Sequence, residues 1–345
     1  MDYVLKHGGL MDAKQWLGIA KEAKECGLVF PLLTGGEPFL HPEFREIHEG
    51  MLKLGMQVSI NTNGTMIDEE TADWLAKNRP TRINLTLYGA SEKTYQNLCG
   101  DGTAYRKVQN AVRYLKERNI PLKFNASITA DNVEDLQEMI AYAKGVGSPI
   151  QVATYMFPPL RRDEKMVGKN ARLTPEEAGL ARVKADFYQN EPEWFLGQAE
   201  RFRHFTTPSD KVKEDTEALK MQCRAGLCSF WIDWQGNMVN CGMYGSVKKT
   251  MQGKRFKDTW EELVEETAKI RYAPVCASCP NKFLCHPCIG MVHNECGNER
   301  GKPEYLCKMN QAAAHYYEVY RKKLEETGAV WEIKGDIRDH TCDLE

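Results

Sequence analysis

The sequence lacks several features that would assign it to a class at once. No run of about 18 apolar residues occurs, as a membrane-spanning helix needs, and the first residues contain no continuous apolar stretch of a secretory signal. Positive charge is not in excess, since the formal net charge is -2 and no segment is a Lys/Arg block. Bulk attraction to nucleic acid or to acidic membranes is therefore not expected. We expect a cytoplasmic protein that binds neither nucleic acid nor a membrane.

Cysteine, in contrast, is abundant. The 345 residues include 12 cysteines, and nine of these lie between Cys223 and Cys307. A disulfide scaffold is disfavoured without a secretory signal, and clustered cysteines in a cytosolic chain are more often metal ligands. Short C-x-x-C spacings place two sulfurs on one metal. All-cysteine zinc sites and iron–sulfur clusters both agree with these spacings, so the spacing leaves the metal open.

The first half of the chain alternates apolar strands with amphipathic helices, which is typical of a parallel sheet with right-handed crossovers. The pattern predicts five strands: Leu28–Leu33, Met56–Ile60, Arg82–Gly89, Leu122–Thr129 and Ile150–Phe157. It predicts one helix before the first strand, Leu10–Gly27, and helices between the strands: Pro42–Gly55, Glu69–Lys77 with Asp68 as its N-cap, Ala104–Asn119 and Val133–Gly147. Two further helices follow at 174–190 and 191–205, and another lies after Cys307. The fold class is α/β, although five strands are too few for an ordinary closed barrel.

A Gly-Gly-Glu-Pro turn follows the first predicted strand, at Gly35, Gly36, Glu37 and Pro38. Taken alone, it could be an ordinary strand-to-helix turn in which the glycines supply open backbone angles. Its position favours a ligand site, because ligands of α/β folds bind at the carboxyl ends of parallel strands. The glycines leave backbone groups free, and the carboxylate of Glu37 can accept hydrogen bonds. The turn therefore suits a ligand with an α-amino group.

The order of motifs resembles the radical S-adenosylmethionine (radical SAM) superfamily, specifically its members with a C-terminal SPASM domain. The turn at Gly35–Pro38 resembles the motif that binds the amino group of SAM, and Asn61–Thr65 resembles the turn after the next strand. Cys223-x12-Gly236-x4-Cys241, followed by Cys276-x2-Cys279-x5-Cys285, matches the SPASM signature. The resemblance covers about Leu10 to Lys308. It implies a partial (β/α) barrel followed by a small cysteine-rich domain. Further SAM contacts are expected at strand ends, from Asn61, Asn63, Thr86 and Ser127.

The same resemblance implies two auxiliary [4Fe–4S] clusters. The first would be held by Cys223, Cys228, Cys241 and Cys288, and the second by Cys276, Cys279, Cys285 and Cys307. The family commonly has three residues between the two cysteines that correspond to Cys285 and Cys288, whereas this chain has two. Cys296 is the alternative to Cys288 as the fourth ligand of the first cluster.

The family's C-x3-C-x2-C motif, whose cysteines hold the SAM-cleaving cluster, does not occur in the sequence. Either the sequence is truncated, or the protein is a degenerate relative. We expect truncation, with one strand and the cluster loop missing, because the SAM turn and all eight auxiliary ligands are intact. The boundaries expected are a truncated partial barrel over 1–158, a helical linker over 159–221, a SPASM domain over 222–310, and a C-terminal helix and polar tail over 311–345.

For the complete enzyme, the resemblance implies reductive cleavage of SAM to methionine and a 5′-deoxyadenosyl radical, which abstracts a hydrogen atom from the substrate. The substrate is expected to be a peptide or protein, and the electron donor an external flavodoxin or ferredoxin. Sulfatase maturases often carry Asp-Gly after the third predicted strand, where this chain has Tyr88-Gly89, so we expect a different peptide modification. No catalytic general base can be assigned. The alternative is a non-catalytic iron–sulfur or zinc protein that transfers electrons or binds a peptide.

Overall fold

The computed structural model describes residues 9–157, 171–207, 220–221 and 223–327. These form two compact units. The first comprises Met1–Ala126, Ala143–Gln151 and Ala225–Thr267, and the second comprises Ser127–Tyr142, Val152–Arg224 and Ala268–Glu345. Both units are thus built from stretches that are distant in sequence. None of the described helices is long and apolar enough to cross a membrane.

A five-stranded sheet follows the predicted alternation, with its strands in chain order from β1 to β5. The strands are β1 Leu32–Leu33, β2 Ser59–Thr62, β3 Arg82–Thr86, β4 Leu122–Ser127 and β5 Ile150–Ala153. Helix α1 Ala13–Glu25 precedes β1, and the helices between the strands are α2 Phe44–Lys53, α3 Glu69–Lys77, α4 Glu92–Cys99, α5 Ala104–Glu117 and α6 Leu136–Val146. Strands β1 to β4 pair in parallel with one another. The predicted α/β class and partial-barrel sheet are confirmed.

The two faces of this sheet differ in chemistry. Ile60, Ile83, Leu85 and Phe124 are fully buried on one face, as expected for a surface covered by helices. The alternating positions carry polar side chains, and the register places them side by side on the other face: Asn61 beside Asn84, Asn84 beside Lys123, and Thr86 beside Asn125. An ordinary parallel sheet is apolar on both faces, so the polar face indicates a ligand-facing surface.

The first strand is shorter and more exposed than predicted. We expected a buried strand over Leu28–Leu33, but only Leu32–Leu33 forms a regular ladder. Pro31 has no N–H to donate. The carbonyl groups of Val29 and Pro31 accept from the N–H groups of Gln57 and Ser59. The strand lies at the edge of the sheet, where Phe30 is 70% exposed and Leu32 is 42% exposed. The expectation of burial is therefore wrong.

Local signals explain the helix boundaries. Asp68 caps α3 as predicted, because its side chain accepts from the Thr71 N–H. Helix α1 begins later than predicted, since Asp12 and Gln15 form a capping box in front of it. Helix α4 was not predicted. Its N-cap Ser91 accepts from the Thr94 N–H, and Gly100 ends it in the left-handed conformation, which is a signal that the sequence already carried.

The first unit also contains part of the cysteine-rich region, within Ala225–Thr267. A three-stranded antiparallel sheet is followed by a helix: β6 Trp231–Ile232, β7 Asn237–Val239, β8 Lys248–Thr250 and α9 Phe256–Thr267. Helix α9 is tied to α1 within this unit, because the Phe256 N–H donates to the Glu22 carboxylate at 2.7 Å. Residues 225–267 therefore form part of the same compact unit as α1.

The second unit is mainly helical. Its helices are α7 Pro175–Gln189, α8 Pro192–Phe202, α10 Pro274–Ser278, α11 Lys282–Cys285, α12 Ile289–Cys296 and α13 Glu304–Thr327. The aromatic side chains of α7, α8 and α13 meet in its core, where the Phe195 ring lies 5.5 Å from that of Tyr317 and 5.3 Å from that of Phe187. Helix α13 begins before Cys307, whereas we predicted a helix after it. The polar segment 158–170 and most of the connector after Thr206 lie outside the described residues.

Helices α7 and α13 touch through their backbones at Gly179. A methyl group there would lie 2.6 Å from the Met309 carbonyl oxygen and 2.7 Å from the Ala312 Cβ. Gly179→Ala should therefore lower the free energy of unfolding by about 1–3 kcal/mol through overpacking. The control is Gly197→Ala in α8, where the methyl group meets no atom within 4 Å, and which should stabilise by about 0.5–1 kcal/mol. Urea unfolding of both variants tests this, and a change of the same sign in both would contradict it.

Candidate functional site

The Glu37 carboxylate connects two turns at the carboxyl end of the sheet. It accepts from the Thr62 hydroxyl at 2.8 Å, from the Asn63 N–H at 2.8 Å and from the Phe39 N–H at 3.3 Å. Glu37 thereby caps the short 3₁₀ turn at Pro38–Leu40 and fixes the turn after β2. An ionised carboxylate offers about four lone-pair positions, so about one remains for a further donor such as an ammonium group. Sequence reasoning assigned Glu37 to a ligand and missed this second task.

The glycines of the same turn leave its backbone open. Gly35 and Gly36 are exposed, and a methyl group at either position would meet no atom within 4 Å. Pro38 is buried and starts the 3₁₀ turn. The backbone around Glu37 can therefore be approached closely by a small ligand. The role predicted for the motif, binding of the SAM amino group, stays a prediction.

The turn after β2 is fixed by its own side chains. The Asn63 side-chain oxygen Oδ1 accepts from the Thr65 N–H at 2.9 Å and from the Thr65 hydroxyl at 2.7 Å. The Thr62 hydroxyl oxygen accepts from the Gly64 N–H at 3.0 Å, and Gly64 has a positive φ of 79°. The side-chain oxygen of Asn63 is thus used within the turn, and only its side-chain NH₂ group is left for a ligand.

The other predicted contacts lie at neighbouring strand positions. Asn61 accepts from the Asn84 side chain at 2.8 Å on the polar face of the sheet. Thr86 is the last residue of β3, and Ser127 is the last residue of β4. Asn61 and Thr86 are on the polar face by register. Their contact with SAM stays a prediction.

Tyr88 is a further residue of this region that we did not predict as functional. Burial raises the pKa of its phenol, and the charges of Cys99 and Glu37 add to this effect, so Tyr88 lies close to Glu37. The hydroxyl of Tyr95 in α4 accepts from the Tyr88 N–H at 3.3 Å, which holds the loop after β3. Because we missed α4, the sequence gave no reason to connect these tyrosines.

Four of the predicted metal ligands come together in the second unit. Burial, and then the neighbouring thiols of Cys307 and Cys279, raise the pKa of Cys276 to about 12. The pKa of Cys285 is also raised to about 12, by burial and then by the thiols of Cys307, Cys276 and Cys279. Cys285 also accepts from the Asn310 side chain at 3.5 Å. Four half-buried thiols that interact in this way have the chemistry of the donor set of a [4Fe–4S] cluster. Their role as ligands of such a cluster stays a prediction.

Fewer contacts define the positions of Cys296 and of the cysteines predicted to hold the first cluster. Cys223 and Cys288 lie near Tyr272, because their charges add to the burial that raises the pKa of this tyrosine. Cys296 instead lies near Cys276, whose pKa it also raises. Cys228 and Cys241 belong to the first compact unit, where the Cys241 sulfur accepts from the Met243 N–H at 3.4 Å. Among the described residues, no three His, Cys, Asp or Glu side chains are grouped to hold a single metal ion.

Residues 3–159 match the model of the Radical SAM superfamily. The chain is 22% identical to the AdoMet-dependent heme synthase of Methanosarcina barkeri (strain Fusaro / DSM 804) over 293 residues, which are 80% of this chain and 82% of that protein. It is 27% identical to the PqqA peptide cyclase of Granulibacter bethesdensis (strain ATCC BAA-1260 / CGDNIH1) over 226 residues, which are 60% of each. The chain therefore spans less than two thirds of the length of that cyclase.

Similarity to a solved structure extends further along the chain. The structure of native anSMEcpe with bound AdoMet and the Cp18Cys peptide has a TM-score of 0.63 and 18% identity, and the match covers 94% of this chain and 93% of that one. At this identity the likeness shows a shared fold. Residues 3–159, which are less than half of the chain, are therefore similar to the Radical SAM superfamily, and the chain shares the fold of that solved structure.

Proposed function

We propose that the chain is the substrate-binding and cluster-binding body of a radical SAM enzyme that modifies a peptide or protein. The observation that carries this proposal is the combination of two sites. One is an open Gly-Gly-Glu-Pro turn beside a polar sheet face in a radical SAM domain. The other is a group of four half-buried, interacting thiols in the second unit. The names of the PqqA peptide cyclase and of the anSMEcpe peptide complex support a peptide substrate.

In this proposal each site has a separate task. Glu37 accepts from the amino group of SAM, and the glycines before it let the ligand approach the backbone. On the polar face, Asn61 and Thr86 would be further contacts of SAM, and the neighbouring polar side chains would orient the substrate. Cys276, Cys279, Cys285 and Cys307 would hold one auxiliary cluster, and Cys223, Cys228, Cys241 and Cys288 a second. Bound SAM supplies the radical chemistry when a reduced cluster is present, and auxiliary clusters accept or deliver electrons.

Because the chain has no C-x3-C-x2-C motif, the 345-residue chain alone should not cleave SAM reductively. Cys288, and not Cys296, should belong to the first auxiliary cluster, since Cys288 and Cys223 share Tyr272 as a neighbour while Cys296 lies near Cys276. An external flavodoxin or ferredoxin would reduce the clusters.

A second candidate substrate class is a tetrapyrrole. The relative named AdoMet-dependent heme synthase is matched over 82% of its length, which is more than for the peptide cyclase. A non-catalytic iron–sulfur or zinc protein is the remaining alternative.

Anaerobic purification followed by metal, sulfide and nucleoside analysis tests the proposed function. The chain should bind about eight iron and about eight sulfide ions, as two [4Fe–4S] clusters require. With dithionite and SAM it should form no 5′-deoxyadenosine, because the ligands of the SAM-cleaving cluster are absent. Zinc without sulfide would support the non-catalytic alternative. Formation of 5′-deoxyadenosine would contradict the assigned role of the missing motif.

A further inference from the structure

The polar face of the sheet carries two positive charges to which the proposed function gives no task. The Arg82 Nε–H donates to the Asn84 side-chain oxygen at 2.9 Å, and Lys123 Nζ donates to the Gln151 side-chain oxygen. Asn84 and Lys123 are directly paired in the register of β3 and β4. With Asn61, these side chains form a row across four neighbouring strands, β2 to β5, with Arg82 at its side.

Neither cation is neutralised within the described part of the chain. Both are held by neutral amides, and no carboxylate of the described residues pairs with either of them. Burial, and then the charge of Arg82, lower the pKa of Lys123, so the two cations are close enough to repel each other. The two terminal NH₂ groups of Arg82 and two of the three ammonium hydrogens of Lys123 remain uncommitted.

We propose that Arg82 and Lys123 together bind a carboxylate of the substrate, the side chain of an Asp or Glu residue in a peptide. A bound carboxylate would relieve the repulsion between the two cations. The arginine offers a planar pair of donors that matches a carboxylate, and the lysine adds a point charge. Neutral amides on both sides hold the cations in place without competing for the anion. The inference rests on the proposed peptide substrate and adds an acidic residue to it.

Equilibrium capture from peptide mixtures tests the inference. The probes are two mixtures of blocked hexapeptides, identical except that one has a fixed central Glu and the other a fixed central Gln. The reconstituted chain, saturated with SAM, should enrich the Glu mixture about tenfold over the Gln mixture, because charged hydrogen bonds contribute about that factor. The double variant Arg82→Gln/Lys123→Gln should lose this preference. Arg82→Lys should retain part of this preference, since the positive charge is kept but the planar pair of donors is lost.

Controls separate this inference from the proposed function. Lys93→Gln removes one exposed positive charge on α4 and should leave the Glu preference unchanged. Equal enrichment of the two mixtures by the parent chain, or an unchanged preference in the double variant, would overturn the inference. A loss of SAM affinity in the double variant would also overturn it, since the carboxylate bound would then be that of SAM. Iron content and SAM binding of the parent chain test the proposed function independently.

Discussion

A chain with Cys285→Ser should bind about four iron atoms instead of about eight, since one of two [4Fe–4S] clusters loses a ligand. The Cys285 thiol is half-buried and interacts with those of Cys307, Cys276 and Cys279. A serine hydroxyl is a far poorer ligand than a thiolate. Helices α10 and α11 have only five and four residues, which are too few to be stable alone. Thiolate–metal bonds organise such short segments, so the melting temperature should fall together with the iron content.

Iron and sulfide assays of three more variants complete this test. Cys99→Ser changes an exposed cysteine outside both ligand sets and should keep the full iron content. Cys288→Ser should lose about four iron atoms, as one [4Fe–4S] cluster requires, and Cys296→Ser should lose none. The reverse result for the last two would assign Cys296 to the first cluster. Unchanged iron in Cys285→Ser would contradict the predicted ligand set itself.

The sequence predicted the sheet well because its signals are local. Turn residues and helix caps such as Asp68 mark most of the elements, and the helix that we missed carries the same kind of signal at Ser91. The polar face could also have been predicted, since polar residues occupy every second position of Arg82-Ile83-Asn84-Leu85-Thr86. We read this segment only as a strand, and so missed Arg82, Asn84 and Lys123.

Other features depend on contacts that no local pattern encodes. The hydrogen bond from the Thr62 hydroxyl to Glu37 joins residues 25 positions apart. It exists because two parallel strands end side by side. The grouping of Cys276 with Cys307 requires α13 to pack beside α10 and α11. The exposure of Phe30 follows from the position of β1 at the edge of the sheet. An exposed apolar edge of this kind is an aggregation hazard.

Glu37→Gln should weaken SAM binding by about 10- to 150-fold, because a carboxylate opposite an ammonium contributes about 1.5–3 kcal/mol. The glutamine keeps one accepting oxygen but replaces the other by a donor. That donor would face the Asn63 N–H or the Thr62 hydroxyl, which now donate to Glu37. The variant therefore changes both the ligand contact and the turn, and a single affinity measurement cannot separate the two effects.

Thr62→Val and a SAM analogue without the α-amino group separate them. Thr62→Val removes one donor to Glu37 and leaves the charge, so it should loosen the turn while most of the SAM affinity remains. The analogue should bind the parent chain and Glu37→Gln with similar affinity, because the group that Glu37 recognises is missing. The difference between the two ligands then measures the coupling of Glu37 to the amino group. If Glu37→Gln weakened SAM and the analogue equally, Glu37 would act only through the turn, and its assignment to the amino group of SAM would be wrong.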